Sequence, residues 1–227
     1  MDYKILLFDL DDTLLDFGAN EAASLKRLFC EHGLNLTHEL FQIYSAVNER
    51  LWSDCERGLI PLSEVLNTRF SRTLLNIGHS GDGAAWERRY RELLGEGTQL
   101  IDGAFELCRS LAFSHRLFII TNGVTETQIS RLRRSGLYEC FEDVFISQEI
   151  GYQKPSKEFF KYVTSHICDF SAENALVIGD SLNADIKGGI LAGIDTCWLN
   201  RNLKPLSSEI RSTYIISNLE QLHGILS

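Results

Sequence analysis

Apolar side chains follow two different rhythms along this chain. At the amino end, and again beyond about residue 98, they come in short unbroken runs rich in branched residues: Tyr3 to Leu10, Leu117 to Thr121, Asp143 to Ser147 and Ala175 to Asp180. A strand covered on both faces has no polar face to alternate with, so such runs predict buried parallel strands. Thr196 to Leu199 and Tyr214 to Ser217 add two more runs near the carboxyl end, before a last short helix. Between the runs, helical spacing recurs: Ile129 and Leu132 before Gly136, Phe159, Phe160 and Val163 after Pro155-Ser156, and Ile186 and Ile190 before Gly193. Glycine closing a periodic segment is a helix-stop signal. Strand and helix in alternation predict an α/β fold, with a central, mostly parallel sheet flanked by helices.

From about Phe17 to Gly97 no strand is predicted, and apolar positions recur only at helical intervals. Leu25, Leu28 and Phe29 form one such set; Leu40, Phe41, Tyr44, Val47 and Leu51 follow Thr37; Leu62, Val65, Leu66 and Phe70 follow Pro61. The expectation is an all-helical module over 17–97, inserted after the first strand of a core made of 1–16 and 98–227. Trp52, Tyr44 and Phe70 sit at helical spacing and are expected to pack inside that module.

Composition narrows the class further. Apolar residues are 44% of the chain and charged residues 23%, ordinary for a folded globular protein. The net charge of −9 argues against a nucleic-acid polymer as partner. Arg131, Arg133 and Arg134 form a local basic cluster, read as one solvated helix face. Six cysteines are scattered singly without a metal-ligand spacing, which predicts reduced thiols. Ile5 to Phe8 is too short for a signal core or a membrane span, so the expected location is the cytoplasm, with no membrane partner.

In open α/β sheets ligands bind at the carboxyl ends of the strands, so the reactive side chains expected there matter most. They are Asp9, Asp11 and Thr13 after the first strand, Thr121, Asn122 and Gly123 after the second, Lys154 after the third, and Asp180 with Asp185 after the fourth. Carboxylates gathered in one place repel unless a cation sits among them, and oxygen ligands without His or Cys point to Mg²⁺. With a metal and Lys154 neutralising a phosphoryl group, a carboxylate can attack phosphorus; Asp9 is the candidate nucleophile. Asp11, two residues on, suits protonation of the leaving group and activation of water. Thr121 and the backbone around Asn122 and Gly123 are candidate donors to phosphoryl oxygens. Thr121 or Lys154 alone would be an ordinary strand-end or surface residue; their weight is collective.

Asp9-Leu10-Asp11-Asp12-Thr13, Ile120-Thr121-Asn122-Gly123, Lys154-Pro155 and Gly179-Asp180 through Asp185 resemble, in order, the four motifs of the haloacid dehalogenase-like (HAD) superfamily. The resemblance implies a Rossmann-like core with a helical cap. It also implies phosphate held around Asp9, Leu10 and Asp11, and Mg²⁺ bound by the Asp9 carboxylate, the Asp11 carbonyl and Asp180, with Asp185 at the edge of the metal site. Asp12 departs from the pattern, since many relatives carry Gly there. Ala46-Val47-Asn48, Leu51-Trp52, Arg69-Phe70, Arg131-Leu132, Ile146-Ser147, Gly151 and Cys197-Trp198-Leu199-Asn200 further resemble the pyrimidine 5′-nucleotidases of the YjjG type. That likeness implies a nucleoside monophosphate substrate.

The alternatives are a phosphatase for another small ester, such as a sugar phosphate or phosphoglycolate, and a phosphomutase. A dehalogenase would leave Asp11 without a role. A signalling receiver domain would need its Asp after the middle strand, where Ile146-Ser147-Gln148 stands. A catalytically dead binding protein is expected to lack one of the four motif residues.

Overall fold

The computed structural model describes residues 3–206 and 209–226. Its elements run β1 (Ile5–Phe8), α1 (Phe17–Glu31), α2 (His38–Glu56), α3 (Leu62–Asn76), α4 (Gly83–Glu96), α5 (Ala104–Leu111) and β2 (Arg116–Thr121). Then follow α6 (Thr125–Ser135), β3 (Asp143–Ile146), α7 (Ser147–Ile150), α8 (Lys157–His166), β4 (Ala175–Gly179), α9 (Lys187–Leu191), β5 (Asp195–Leu199), β6 (Tyr214–Ile216) and α10 (Leu222–Leu226). Contacts divide the chain into two compact units: one runs to Phe17 and resumes at Thr98, the other is Gly18–Gly97.

The first unit is built on one six-stranded sheet in the order β3-β2-β1-β4-β5-β6, every pairing among the described residues being parallel. Alternate residues of each strand feed opposite cores. Leu6, Phe8, Ile119 and Ile178 pack on one side with Leu107 and Leu111 of α5, Leu132 of α6 and Leu222 of α10. Leu7, Phe118, Ile120 and Val177 pack on the other side with Phe159, Phe160 and Val163 of α8. The three layers account for the unbroken apolar runs of the central strands, because β1, β2 and β4 are covered on both faces. The chain builds outward from β1 to β3 on one side, then crosses back to place β4 on the other. That reversal puts a crevice at the carboxyl ends of β1 and β4.

Strand β1 is shorter than its apolar run. Leu10 and Leu14 belong to the core, yet the backbone turns after Phe8: the amides of Leu14 and Leu15 both donate to the Leu10 carbonyl, at 2.9 Å each. Asp12 sits in this turn at φ 58°, the left-handed region, where glycine is unstrained and other residues carry a cost of about 1 kcal/mol. Its carboxylate recovers part of that by accepting the Phe17 amide at 3.0 Å, at the start of α1. Ser147, expected at a strand end, instead opens α7, and Ser217 falls just outside β6.

Among its described residues the second unit has helices as its only regular elements, joined by short loops. Thr37 caps α2 by accepting the Leu40 amide, and Asp82 caps α4 through the amides of Ala84 and Ala85. Tyr44, Phe70, Trp86 and Tyr90 interlock in its core as tilted and edge-to-face rings. Trp52 is half-buried and packs beside Leu51, Cys55 and Val65. Among the described residues no helix is long and apolar enough to cross a membrane.

Candidate active site

The crevice at the reversal point collects side chains from four strand ends. Asp9 follows β1, and its Oδ1 accepts from Lys154 Nζ at 2.7 Å, while its Oδ2 accepts from the Thr13 hydroxyl at 3.0 Å. Lys154 Nζ also donates to Asp185 Oδ1 at 2.6 Å and to the Ile120 carbonyl at 2.8 Å, so all three of its hydrogens are used. Asp180 lies beside this group: Asp9, Asp180 and Asp185 each turn an oxygen into a space where all three oxygens lie within 4.8 Å of one another.

Local backbone explains how these groups are held. Asp185 stands in a π-helical turn, Leu182–Ile186, that wraps back over the end of β4, and its Oδ2 accepts the Ser181 amide at 3.0 Å. Gly179 permits that approach, since a Cβ there would stand 2.2 Å from Asp185 Oδ2. The Asp180 carbonyl is fixed by the Trp198 indole N–H of β5 at 2.9 Å. Asn122 clamps the Lys154 backbone from both sides, donating to its carbonyl at 2.9 Å and accepting its amide at 2.8 Å. The Asn122 side chain is thus committed to placing Lys154.

Electrostatics follow from burial and charge count. Burial and the charges of Asp185 and Asp180 push the Asp9 carboxyl well above its ordinary value, although Lys154 works in the opposite direction. Asp180 is pushed up to about 7 by burial and by Asp185 and Asp12, against the weaker pull of Lys204 and Lys154. Burial disfavours the Lys154 ammonium, but Asp185 and Asp9 outweigh it and raise its pKa. Negative charge is therefore in excess in a largely buried space. A hard divalent cation fits such a donor set, because it supplies the missing positive charge and accepts oxygen ligands only.

Asp11 has other partners. Its Oδ1 accepts from Arg131 Nη1 and its Oδ2 from Gln128 Nε2 at 2.7 Å. Gln128 Nε2 also donates to Thr121 Oγ1 at 2.9 Å, which leaves the Thr121 hydroxyl hydrogen available to another acceptor. Arg131 corrects the expectation of a solvated face. It is 1% exposed, whereas Arg133 and Arg134 on the same helix are exposed. Spacing alone hid the difference: Gln128 and Arg134 each stand three residues from Arg131 on α6, yet Gln128 is buried with Arg131 and Arg134 is exposed. Gln128 was not anticipated from sequence; its place one turn after Thr121-Asn122-Gly123 was the available signal. Gly123 makes room for it, because a Cβ there would lie 2.4 Å from Gln128 Cγ.

Comparison with known proteins identifies the family. The family model for haloacid dehalogenase-like hydrolases matches residues 3–193. The chain belongs to that family. It is 52% identical to the HAD-hydrolase YfnB of Bacillus subtilis, over 99% of this chain and 96% of that protein. It is 41% identical to the pyrimidine 5′-nucleotidase PynA of Streptococcus pneumoniae, over 98% of this chain and 94% of the relative. It is 32% identical to the pyrimidine 5′-nucleotidase YjjG of Escherichia coli, over 100% and 99%. The crystal structure of YfnB bound to magnesium superposes with a TM-score of 0.95, at 51% identity and full coverage of both chains. The resemblance read from the four motifs is thus a family relationship along nearly the whole chain, and the α/β core is that of these HAD hydrolases.

Proposed function

We propose that this HAD hydrolase cleaves phosphomonoesters through a phosphorylated Asp9, with Mg²⁺ held by Asp9, Asp180 and the Asp11 carbonyl, and Asp185 supporting. The observation that carries the reading is the cluster of Asp9, Asp180 and Asp185 around Lys154, where carboxylates outnumber the contacting ammonium. A dehalogenase, which forms its ester on carbon, has no use for that surplus; a reaction that brings a cation and a phosphate dianion together does.

Asp9 presents an oxygen to phosphorus, and Lys154 and Thr13 hold its carboxylate in one orientation. The P–O bond to the leaving group breaks as the Asp9–phosphorus bond forms, and Asp11 gives the departing alkoxide its proton. Asp11 then takes a proton from the water that attacks phosphorus and frees Asp9. Thr121 donates its hydroxyl hydrogen to a phosphoryl oxygen, and Lys154 adds its charge to the same group. Bound Mg²⁺ supplies charge neutralisation and orientation of the phosphoryl oxygens.

The preferred substrate class is a nucleoside monophosphate, above all a pyrimidine one. Support comes from PynA and YjjG, which carry that activity in their names and align over nearly their whole lengths. Phosphate release from a panel of nucleotides, sugar phosphates and small acid phosphates, with Mg²⁺ or with EDTA, tests both layers. Metal-dependent release favouring pyrimidine monophosphates is expected. Preference for a sugar phosphate would keep the reaction and overturn the substrate, while metal-independent or absent release would overturn the reaction.

A further inference from the structure

Arg131 is expensive to place where it is. Its side chain is almost wholly buried, its Nε is buried without a hydrogen-bond partner among the described residues, and its guanidinium lies 5.5 Å from the centre of the Phe17 ring. A buried donor left unpaired costs free energy, and an exposed arginine would serve the helix equally well without that cost. Residues set against local stability in this way tend to mark function. What Arg131 gains is contact with Asp11 Oδ1, joined by Gln128 on Asp11 Oδ2 at 2.7 Å; Arg131 Nη1 also reaches Gln128 Oε1 at 3.2 Å. Both carboxylate oxygens of Asp11 are thus held by one helix face, and that face is tied to Thr121 through the same Gln128 amide nitrogen at 2.9 Å.

We propose that Arg131 and Gln128 are positioning residues for Asp11, fixing the orientation of its carboxylate and linking it to the phosphate-facing Thr121. This inference rests on the proposed hydrolysis, in which Asp11 handles the proton of the leaving group. Neither residue touches the reacting atoms. Each acts by limiting where Asp11 can be when the leaving group departs, and a misplaced acid loses most of its effect.

Leaving groups separate this role from a general loss of structure. An alkoxide needs a proton on departure, whereas 4-nitrophenolate leaves without one. The test measures first-turnover leaving-group release, with Mg²⁺, from uridine 5′-monophosphate and from 4-nitrophenyl phosphate. Arg131→Met is expected to slow uridine release by about 100-fold and nitrophenolate release by less than about 10-fold. Arg131→Lys, which keeps one charged donor, should recover part of the loss, and Arg134→Ala on the exposed side should match wild type. If Arg131→Met does not fold by circular dichroism, Gln128→Leu carries the same comparison, with the same selective loss expected. Equal losses on both substrates, or wild-type rates on both, would overturn the inference alone. A wild-type protein inactive on both substrates would overturn the proposed hydrolysis and the inference together.

Discussion

Each unit of the molecule buries a cluster of charges, and the two clusters are built on opposite principles. In the helical unit, Arg69 meets Glu87 fork to fork, at 2.7 and 2.8 Å, with its guanidinium 4.6 Å from the centre of the Tyr90 ring. Asn48 accepts from the remaining Arg69 nitrogen at 3.3 Å and passes a hydrogen bond on to Glu21, which also accepts from Tyr44 and Tyr90. With Arg91 Nε also 3.5 Å from Glu87 Oε1, two guanidinium groups stand against the two carboxylates of this set. In the α/β unit, Asp9 and Asp185 share one Lys154 while Asp180 stands beside them, and the pKa values of Asp9 and Asp180 are pushed up. A buried cluster that balances internally has the form of a structural part. One left in deficit is waiting for something outside the protein.

The largest expected effect breaks this contrast at its catalytic end. Asp9→Asn keeps the shape of the side chain and removes the attacking oxyanion, so turnover of any phosphomonoester should fall by at least about 10⁴-fold, equal to about 5 kcal/mol on the barrier. The variant should fold as well as wild type, since one surplus carboxylate is gone. Activity assays alongside circular dichroism check both halves, and substantial turnover by purified Asp9→Asn would dismiss the nucleophile assignment.

The balanced cluster should respond in the other currency. Glu87→Gln leaves the Arg69 guanidinium buried without its counter-charge, and breaking a buried pair in this way costs about 3 to 5 kcal/mol. The urea unfolding midpoint is expected to drop accordingly. A midpoint within error of wild type would mean that the Arg69–Glu87 pair holds little of the helical unit together.

The difference between the clusters was only partly legible in the sequence. Asp9, Asp11, Asp180, Asp185 and Lys154 could be read because each lies just past an apolar run, and the ends of parallel strands converge by topology alone. The central strands were legible because they are covered on both faces: Ile5 to Phe8 and Ala175 to Gly179 are buried throughout and have no exposed face to blur the pattern. Contacts made across long separations were not. Arg131 reaches Asp11 over 120 positions and Gln128 reaches it over 117, and no local rhythm distinguishes a helix position that faces a loop from one that faces water. The clamp of the Asn122 side chain on the Lys154 backbone was not legible either, because it depends on how two loops meet. Asp12 stands where many relatives carry Gly, and its left-handed φ agrees with that, but the bond to Phe17 that offsets the strain required knowing where α1 begins.

The smallest effect sharpens the contrast most, because its sign differs between the clusters. Removing an acid from a balanced pair destabilises; removing one from a surplus should not. Asp180→Asn takes away a carboxylate held near pKa 7 by burial and by its neighbours Asp185 and Asp12, so the metal-free protein is relieved of like-charge repulsion. In EDTA the variant is expected to be more stable than wild type by about 1 kcal/mol, the scale of roughly one pKa unit of relief. Added Mg²⁺ should then reverse the order. A ligand that binds only the folded state stabilises it by RT ln(1 + [L]/Kd), and wild type with three carboxylates has more to gain than a variant with two. Thermal melts of both proteins in EDTA and in Mg²⁺ give the four values needed. If Asp180→Asn loses stability in EDTA as Glu87→Gln does, the α/β cluster is balanced by contacts of its own, and the case for a cation among Asp9, Asp180 and Asp185 falls.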